Sequence, residues 1–261
     1  NSFCTLLVSP VTVKMRAVIA PIIFALVCAA SSVAALSFEK VHLIDWIEGP
    51  TSTHYFFRSD EPVSKSPYRF EYNTLVQYMA TRAKNASAPW PDPTPYIFDI
   101  CTLNFLKHEE REDIDHERSF FEANKTLGEF HNWVIIGNIL DPNNMEPSKV
   151  QADMQEYIDF DADQLVKRIA AVRSQLEAAR TSTSRRSYVT MVHCEGGDDR
   201  TGEFSAAYVM QYKNYTMKQA LTWDDSIAHR NIEFASRNGA LWYCWYLTYK
   251  LGYTNLDCAN I

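Results

Sequence analysis

The most reactive arrangement in the sequence is the segment Val192-His193-Cys194-Glu195-Gly196-Gly197-Asp198-Asp199-Arg200-Thr201-Gly202. Five residues separate a cysteine from an arginine, and Gly196 and Gly197 are free to take positive φ. Such a loop can curl until its backbone N–H groups converge as an anion nest at a helix N-terminus. A dianion fits a nest of this kind. The same N–H groups and the helix dipole favour a thiolate at Cys194, which makes it a nucleophile at neutral pH. Arg200 adds a bidentate fork for two phosphoryl oxygens, a geometry that lysine does not offer. Thr201 can donate its hydroxyl to the Cys194 sulfur and ease its departure in a second step. Substrate contacts are therefore expected from Glu195, Gly196, Gly197, Asp198, Asp199 and Arg200. The three acids in the loop oppose a dianion by Coulomb repulsion unless they point outward or pair with basic side chains. That disfavours a highly phosphorylated ligand.

This segment needs a strand before it and a helix after it, and the hydrophobic pattern supplies both. Tyr188–Val192 is a β-branched run, and Thr201–Tyr212 opens a helix. Upstream, a helix is expected from about Phe70 to Ala83, then a Pro-rich loop over 88–95. A strand follows at Tyr96–Cys101, then a charged helix from Lys107 to Asn124 and another strand at Trp133–Ile136. Asp161–Ala179 is amphipathic, with Leu165, Ile169, Val172 and Leu176 in line. Two further helices are expected at about Met217–Arg230 and Asn238–Leu251. Strands separated by helices predict an α/β fold, a central, mainly parallel sheet with helices on both faces and ligands at the carboxyl ends of the strands.

Composition narrows the function. The chain has 261 residues, 46% of them hydrophobic, with 25 basic and 32 acidic side chains. A net charge of -7 and no basic run longer than Arg185-Arg186 argue against nucleic acid as a partner and against an anionic membrane surface. Lys14, Met15 and Arg16 precede an apolar run over 17–30 that ends in small residues, the pattern of a secretory signal cleaved after Ala34 or Ala35. The run is shorter than the ~20 residues of a spanning helix, so no stable membrane anchor is expected after cleavage. Residues 1–14 precede the first Met and receive no role, and residues 36–261 form the expected single domain, in the secretory lumen or outside the cell. Without residues 1–35 the balance becomes 23 basic to 32 acidic residues. Sequons at Asn85, Asn124 and Asn214 agree with a secreted glycoprotein. Cys194 must stay reduced, which leaves Cys101, Cys244 and Cys258. The last two, close together near the C-terminus, are the expected disulfide, and buried free thiols are the alternative for all three. The seven His are scattered, none at ligand spacing with a cysteine, so no metal or other cofactor is expected.

His193, Cys194, Arg200 and Thr201 together resemble the His-Cys-x5-Arg-Ser/Thr signature of the cysteine-dependent protein tyrosine and dual-specificity phosphatases. Phe57-Arg58-Ser59 to Pro62, Phe98-Asp99-Ile100 and Met217-Lys218-Gln219-Ala220 look, more loosely, like elements of compact members, so the resemblance covers about residues 50–255. It implies a phosphatase-like fold and hydrolysis of phosphomonoesters through a phosphocysteine on Cys194, with phosphotyrosine the default substrate and small inositol phosphates an alternative. It also implies an Asp on a mobile loop that protonates the leaving alcohol and then activates water. Trp90-Pro91-Asp92 matches the family's acid tripeptide but stands before the Tyr96–Cys101 strand, the wrong place in the order. Asp141, in a turn after the Trp133–Ile136 strand, is the expected acid, with Asp153, Asp159 and Asp161 as rivals, the last better suited to capping a helix. Two other classes remain: a phosphatase-like module that captures phosphorylated ligands without turnover, and a sulfur transferase, which the Arg-Thr-Gly ending disfavours. Cys101, on a strand expected beside that of Cys194, is a partner for a reversible disulfide with it.

Overall fold

The computed structural model describes residues 36–90, 93–155 and 161–260, which belong to one compact unit, Val33–Ile261. The expected signal segment lies outside the described residues. A five-stranded sheet runs in the order β1 (His42–Glu48), β2 (Thr53–Ser59), β7 (Tyr188–His193), β5 (Tyr96–Cys101), β6 (Gly128–Asn132). β1 pairs antiparallel with β2, and the other neighbours are parallel. A small hairpin, β3 (Val63–Lys65) and β4 (Tyr68–Phe70), leads into α1 (Tyr72–Asn85). The remaining helices are α2 (His108–Ala123), α3 (Pro147–Asp153), α4 (Leu165–Glu177), α5 (Asp199–Tyr212), α6 (Met217–Ala228) and α7 (Phe234–Tyr249).

The alternation of side chains along each strand divides the core in two. Tyr55, Phe57, Ile97, Val189 and Met191 face α1 and α2, where Leu75, Met79 and Phe121 close the layer. Phe56, Ile100 and Val192 face α4, α5 and α7, against Ile169, Val172, Phe204, Leu241 and Leu247. Burial of each such side chain contributes roughly 1.5–3 kcal/mol. Helix starts follow their sequence signals. Thr216 and Gln219 form a capping box on α6. The Asp161 carboxylate accepts from Leu165 N at 2.5 Å and Val166 N at 3.2 Å, so it caps α4, which begins later than its apolar period suggested.

One strand differs from expectation. The strand after α2 is Gly128–Asn132, and Trp133–Ile136 is the extended segment that continues from it. Trp133 N still donates to Cys101 O at 2.8 Å, and Ile135 N to Thr102 O at 3.3 Å. The apolar run marks the place where the chain leaves the sheet edge and crosses the core, with Ile135 buried among α4 and α5 residues. Cys244 and Cys258 are joined by a disulfide that ties α7 to the C-terminal segment. No described helix is long and apolar enough to cross a membrane.

Candidate active site

β7 delivers His193 and then Cys194 to the carboxyl edge of the sheet, and α5 begins five residues later at Asp199. The intervening turn is held from three sides. Gly197 has φ +68°, and a Cβ there would lie 2.6 Å from Ser59 O and 2.7 Å from Asp60 N, so only glycine lets the loop close on the end of β2. Arg58, fully buried, donates from Nη2 to Gly197 O at 2.6 Å and pairs through Nη1 with Asp224 Oδ1 of α6 at 2.5 Å. Glu61 N donates to Glu195 O at 3.1 Å. Gly202 and Gly239 let helices meet at a carboxylate: a Cβ at Gly202 would lie 2.3 Å from Asp224 Oδ2, and one at Gly239 2.0 Å from Glu203 Oε1.

Cys194 is a free thiol, 3% exposed, in a small apolar cluster with Cys101, Leu103 and Ile114. Arg200 donates to Glu110 Oε2 of α2 at 2.7 Å. That carboxylate also accepts from Asn104 N at 2.6 Å, while Glu110 Oε1 accepts from Lys107 at 3.2 Å. Burial opposes the charge on both partners, but their hydrogen bond prevails, so Glu110 titrates below and Arg200 above its ordinary value. The three loop acids are dealt with individually. Glu195 points outward, its side chain 62% exposed. Asp198 pairs with Lys40 at 2.5 Å and Asp199 with Arg230 at 2.6 Å, and Glu233 N donates to Asp199 at 2.7 Å. The repulsion anticipated from the sequence is thus largely neutralised before any anion arrives.

Other expected residues are placed differently. The Thr201 hydroxyl is buried without a hydrogen-bond partner, so the expected Thr201–Cys194 bond is not made. Asp141 follows β6 as expected and caps the turn Pro142–Asn144. It accepts from Asn143 N at 2.9 Å and Asn144 Nδ2 at 3.2 Å, and lies 3.6 Å from Arg237 of α7. None of these bonds reaches the segment from Cys194 to Thr201. Its loop is linked to the site indirectly, because Asn138 N donates to Ala235 O, two residues beyond Glu233. Asp153 ends α3, and Asp159 and the Pro91-Asp92 pair lie outside the described residues. Trp90 packs on Tyr55 and Phe57 with ring centroids 4.9 and 6.0 Å apart. Asn85 and Asn214 are exposed, whereas Asn124 is half-buried, its amide donating to Phe120 O at 2.8 Å.

Several acids near the loop escaped the sequence reading. Glu110, Asp113 and Glu117 lie on the buried face of α2. Their sequence signal is that they share one helical stripe with Ile114 and Phe121. Burial, reinforced by the Glu117 and Asp113 carboxylates, pushes Glu61 up to about 8, and burial pushes Asp60 up to about 7. No histidine stands at ligand spacing with a cysteine along the chain, but strand register brings one to a cysteine: Cys101 and His193 are partners across β5 and β7. His193 Nε2 stands 3.1 Å from Glu117 Oε2 and 3.3 Å from Asp99 Oδ1. Burial lowers the imidazole pKa, but these two carboxylates outweigh it and hold His193 well above its ordinary value. Burial also raises the Cys101 thiol.

Segments bonded to the site's neighbours carry exposed apolar side chains. Phe105 and Leu106 follow Asn104, while Ile136, Ile139 and Leu140 lie on the loop after β6, and Phe234 follows Glu233. All six are exposed, Ile139 by 81% and Leu106 by 74%. A cavity of about 380 Å³ lined by His54, Tyr96 and Tyr188 lies at the other end of the strands.

No protein-family model matches the chain, and no curated protein matches it. Among solved structures it is similar to one titled "Crystal structure of Tk-PTP in the active form", at 12% identity and a TM-score of 0.40, covering 77% of this chain and 93% of that one.

Proposed function

We propose that the chain is a cysteine-dependent phosphatase of the secretory route, hydrolysing phosphomonoesters in two steps. Cys194 attacks phosphorus and forms a phosphocysteine as the alcohol leaves, and water then attacks the phosphocysteine and frees inorganic phosphate. The observation that carries this reading is the glycine-closed turn between Cys194 and Arg200 at the start of α5. It supplies a nucleophile, backbone donors and a guanidinium within a single turn of chain. Arg200 holds two phosphoryl oxygens and Asp141 acts as the acid and then the base, leaving its Asn143 cap as substrate arrives. The exposed apolar side chains on the neighbouring segments support an ester with an apolar group beside the phosphate, phosphotyrosine in a protein substrate before a bare inositol phosphate.

Release of phosphate from a generic aryl phosphate by the purified, reduced protein tests the reading. Activity abolished in Cys194→Ser and lowered about 100-fold in Asp141→Asn is expected, the size usual for a lost general acid. Activity unchanged in Asp141→Asn assigns the acid elsewhere. No turnover by the native protein, with phosphate still bound, favours the capturing module, for which the bonds that tie Asp141 to Asn143 and Arg237 already speak.

A further inference from the structure

Behind Cys194, on the α2 side of the sheet, four donors from three elements converge. Asp99 and Cys101 are two residues apart on β5 and so share one face of the strand. His193 of β7 is the register partner of Cys101, and Glu117 of α2 lies over both. All four side chains are fully buried. Cys101 Sγ, a Glu117 oxygen and a His193 nitrogen lie within 4.8 Å of one another.

Two features set this cluster apart from an ordinary ion pair. First, both carboxylates approach the same atom, His193 Nε2, at 3.1 and 3.3 Å. A single N–H can point at only one of them. Second, two fully buried carboxyl groups meet this one imidazole, and among the described residues no Lys or Arg pairs with either of them. A thiol, an imidazole and a carboxylate gathered this closely are what a coordination shell looks like from its edges. Bonds of about 2.0–2.2 Å place neighbouring N and O ligands about 2.9–3.4 Å apart, depending on the angle at the metal.

We infer that Cys101, Glu117 and His193 form a binding site for one divalent zinc-class ion, with the Asp99 carboxylate beside the histidine rather than among the ligands. The donor set selects the class. A thiolate disfavours magnesium and calcium, the carboxylate disfavours copper(I), and the S, N, O mixture suits zinc, with cobalt(II) as its spectroscopic substitute. Binding sends the Cys101 thiol proton and a proton of the His193 imidazolium to solvent and forms the metal–sulfur and metal–nitrogen bonds, with no change of oxidation state. The ion binds as the chain folds, because the site is closed. It fixes the end of β5 and α2 to the residue immediately before Cys194.

The test is metal content of the full purified chain by mass spectrometry, with spectra of the cobalt(II)-substituted protein. About one zinc per chain is expected, falling at least tenfold in Cys101→Ser and in Glu117→Gln, while Cys194→Ser keeps its zinc although it loses turnover. The cobalt form of the native chain should show visible d–d bands and a thiolate charge-transfer band, retained in Cys194→Ser. This native spectrum decides the matter even where a variant fails to fold. A folded native protein with neither zinc nor a cobalt spectrum would overturn the site and leave His193 as an imidazolium between two carboxylates. Loss of the metal in Cys194→Ser would overturn the ligand assignment. Because metal content is read without substrate, the result stands apart from whether the protein is a phosphatase.

Discussion

Replacing Arg58 by methionine removes a fully buried cation that joins the Cys194–Arg200 loop to α6. Arg58 and Asp224 are both fully buried, 2.5 Å apart, and Arg58 also serves Gly197 O at 2.6 Å. Methionine keeps most of the volume but leaves the Asp224 carboxylate buried with no other hydrogen-bond partner, and Gly197 O without this donor. Breaking one side of a buried pair costs about 3–5 kcal/mol, mostly as the stranded charge. In a domain of this size, each kcal/mol lowers Tm by about 2–4 °C, so Arg58→Met should melt roughly 6–20 °C below the native protein. Burial already pushes the Asp224 carboxyl up against the pull of Arg58. Without Arg58 it rises further, and because the folded state then holds the proton more tightly than the unfolded one, the loss should shrink as pH is lowered. Calorimetry of Arg58→Met, Asp224→Asn and the double variant measures the coupling. The double variant should lose at least ~2 kcal/mol less than the sum of the singles. A loss below ~1 kcal/mol for Arg58→Met, or strict additivity, would refute the claim that this pair holds the loop.

Two further outcomes follow from the same neighbourhood. Gly197→Ala places a side chain at φ +68° against the backbone of Ser59 and Asp60. It should lose at least ~1–2 kcal/mol in denaturant unfolding and lower kcat/KM for an aryl phosphate by about tenfold or more, and native stability would refute the close approach. Asp60 is raised from 3.8 to about 7 by burial, so its contribution is full at low pH and fades as pH climbs through that window, where the folded state binds the extra proton. Asp60→Asn should therefore flatten part of the decline in stability between pH 4 and 7 seen in pH-dependent urea titrations.

The site was legible in the sequence wherever one short segment carried it. A β-branched strand, a cysteine, two glycines and an arginine before a helix define a local geometry, and β7 and α5 lie within two residues of their expected bounds. The edge strand was not legible. Gly128-Glu129-Phe130-His131-Asn132 pairs on one side only and is mostly half-exposed, so it carries no apolar run, while the neighbouring Trp133–Ile136 does because it enters the core. Helix α2 misled in another way. Charged residues at helical spacing ordinarily mark a solvated face, yet Glu110, Asp113 and Glu117 face inward because the partners that donate to them, Arg200, Lys65 and His193, come from distant parts of the chain. The meeting of Cys101 with His193 is likewise a fact of strand register, which spacing along the chain does not report.

The Arg200–Glu110 contact uses only Nη1 of the guanidinium, and Glu110 is itself held by Asn104 N and Lys107. An arginine side chain free in water gives up about 2 kcal/mol of rotamer entropy when it is fixed. Here that loss falls on folding, so an arriving anion meets a guanidinium already oriented, with its remaining N–H donors unspent. Affinity at this site is therefore partly stored in a carboxylate that the anion itself never touches.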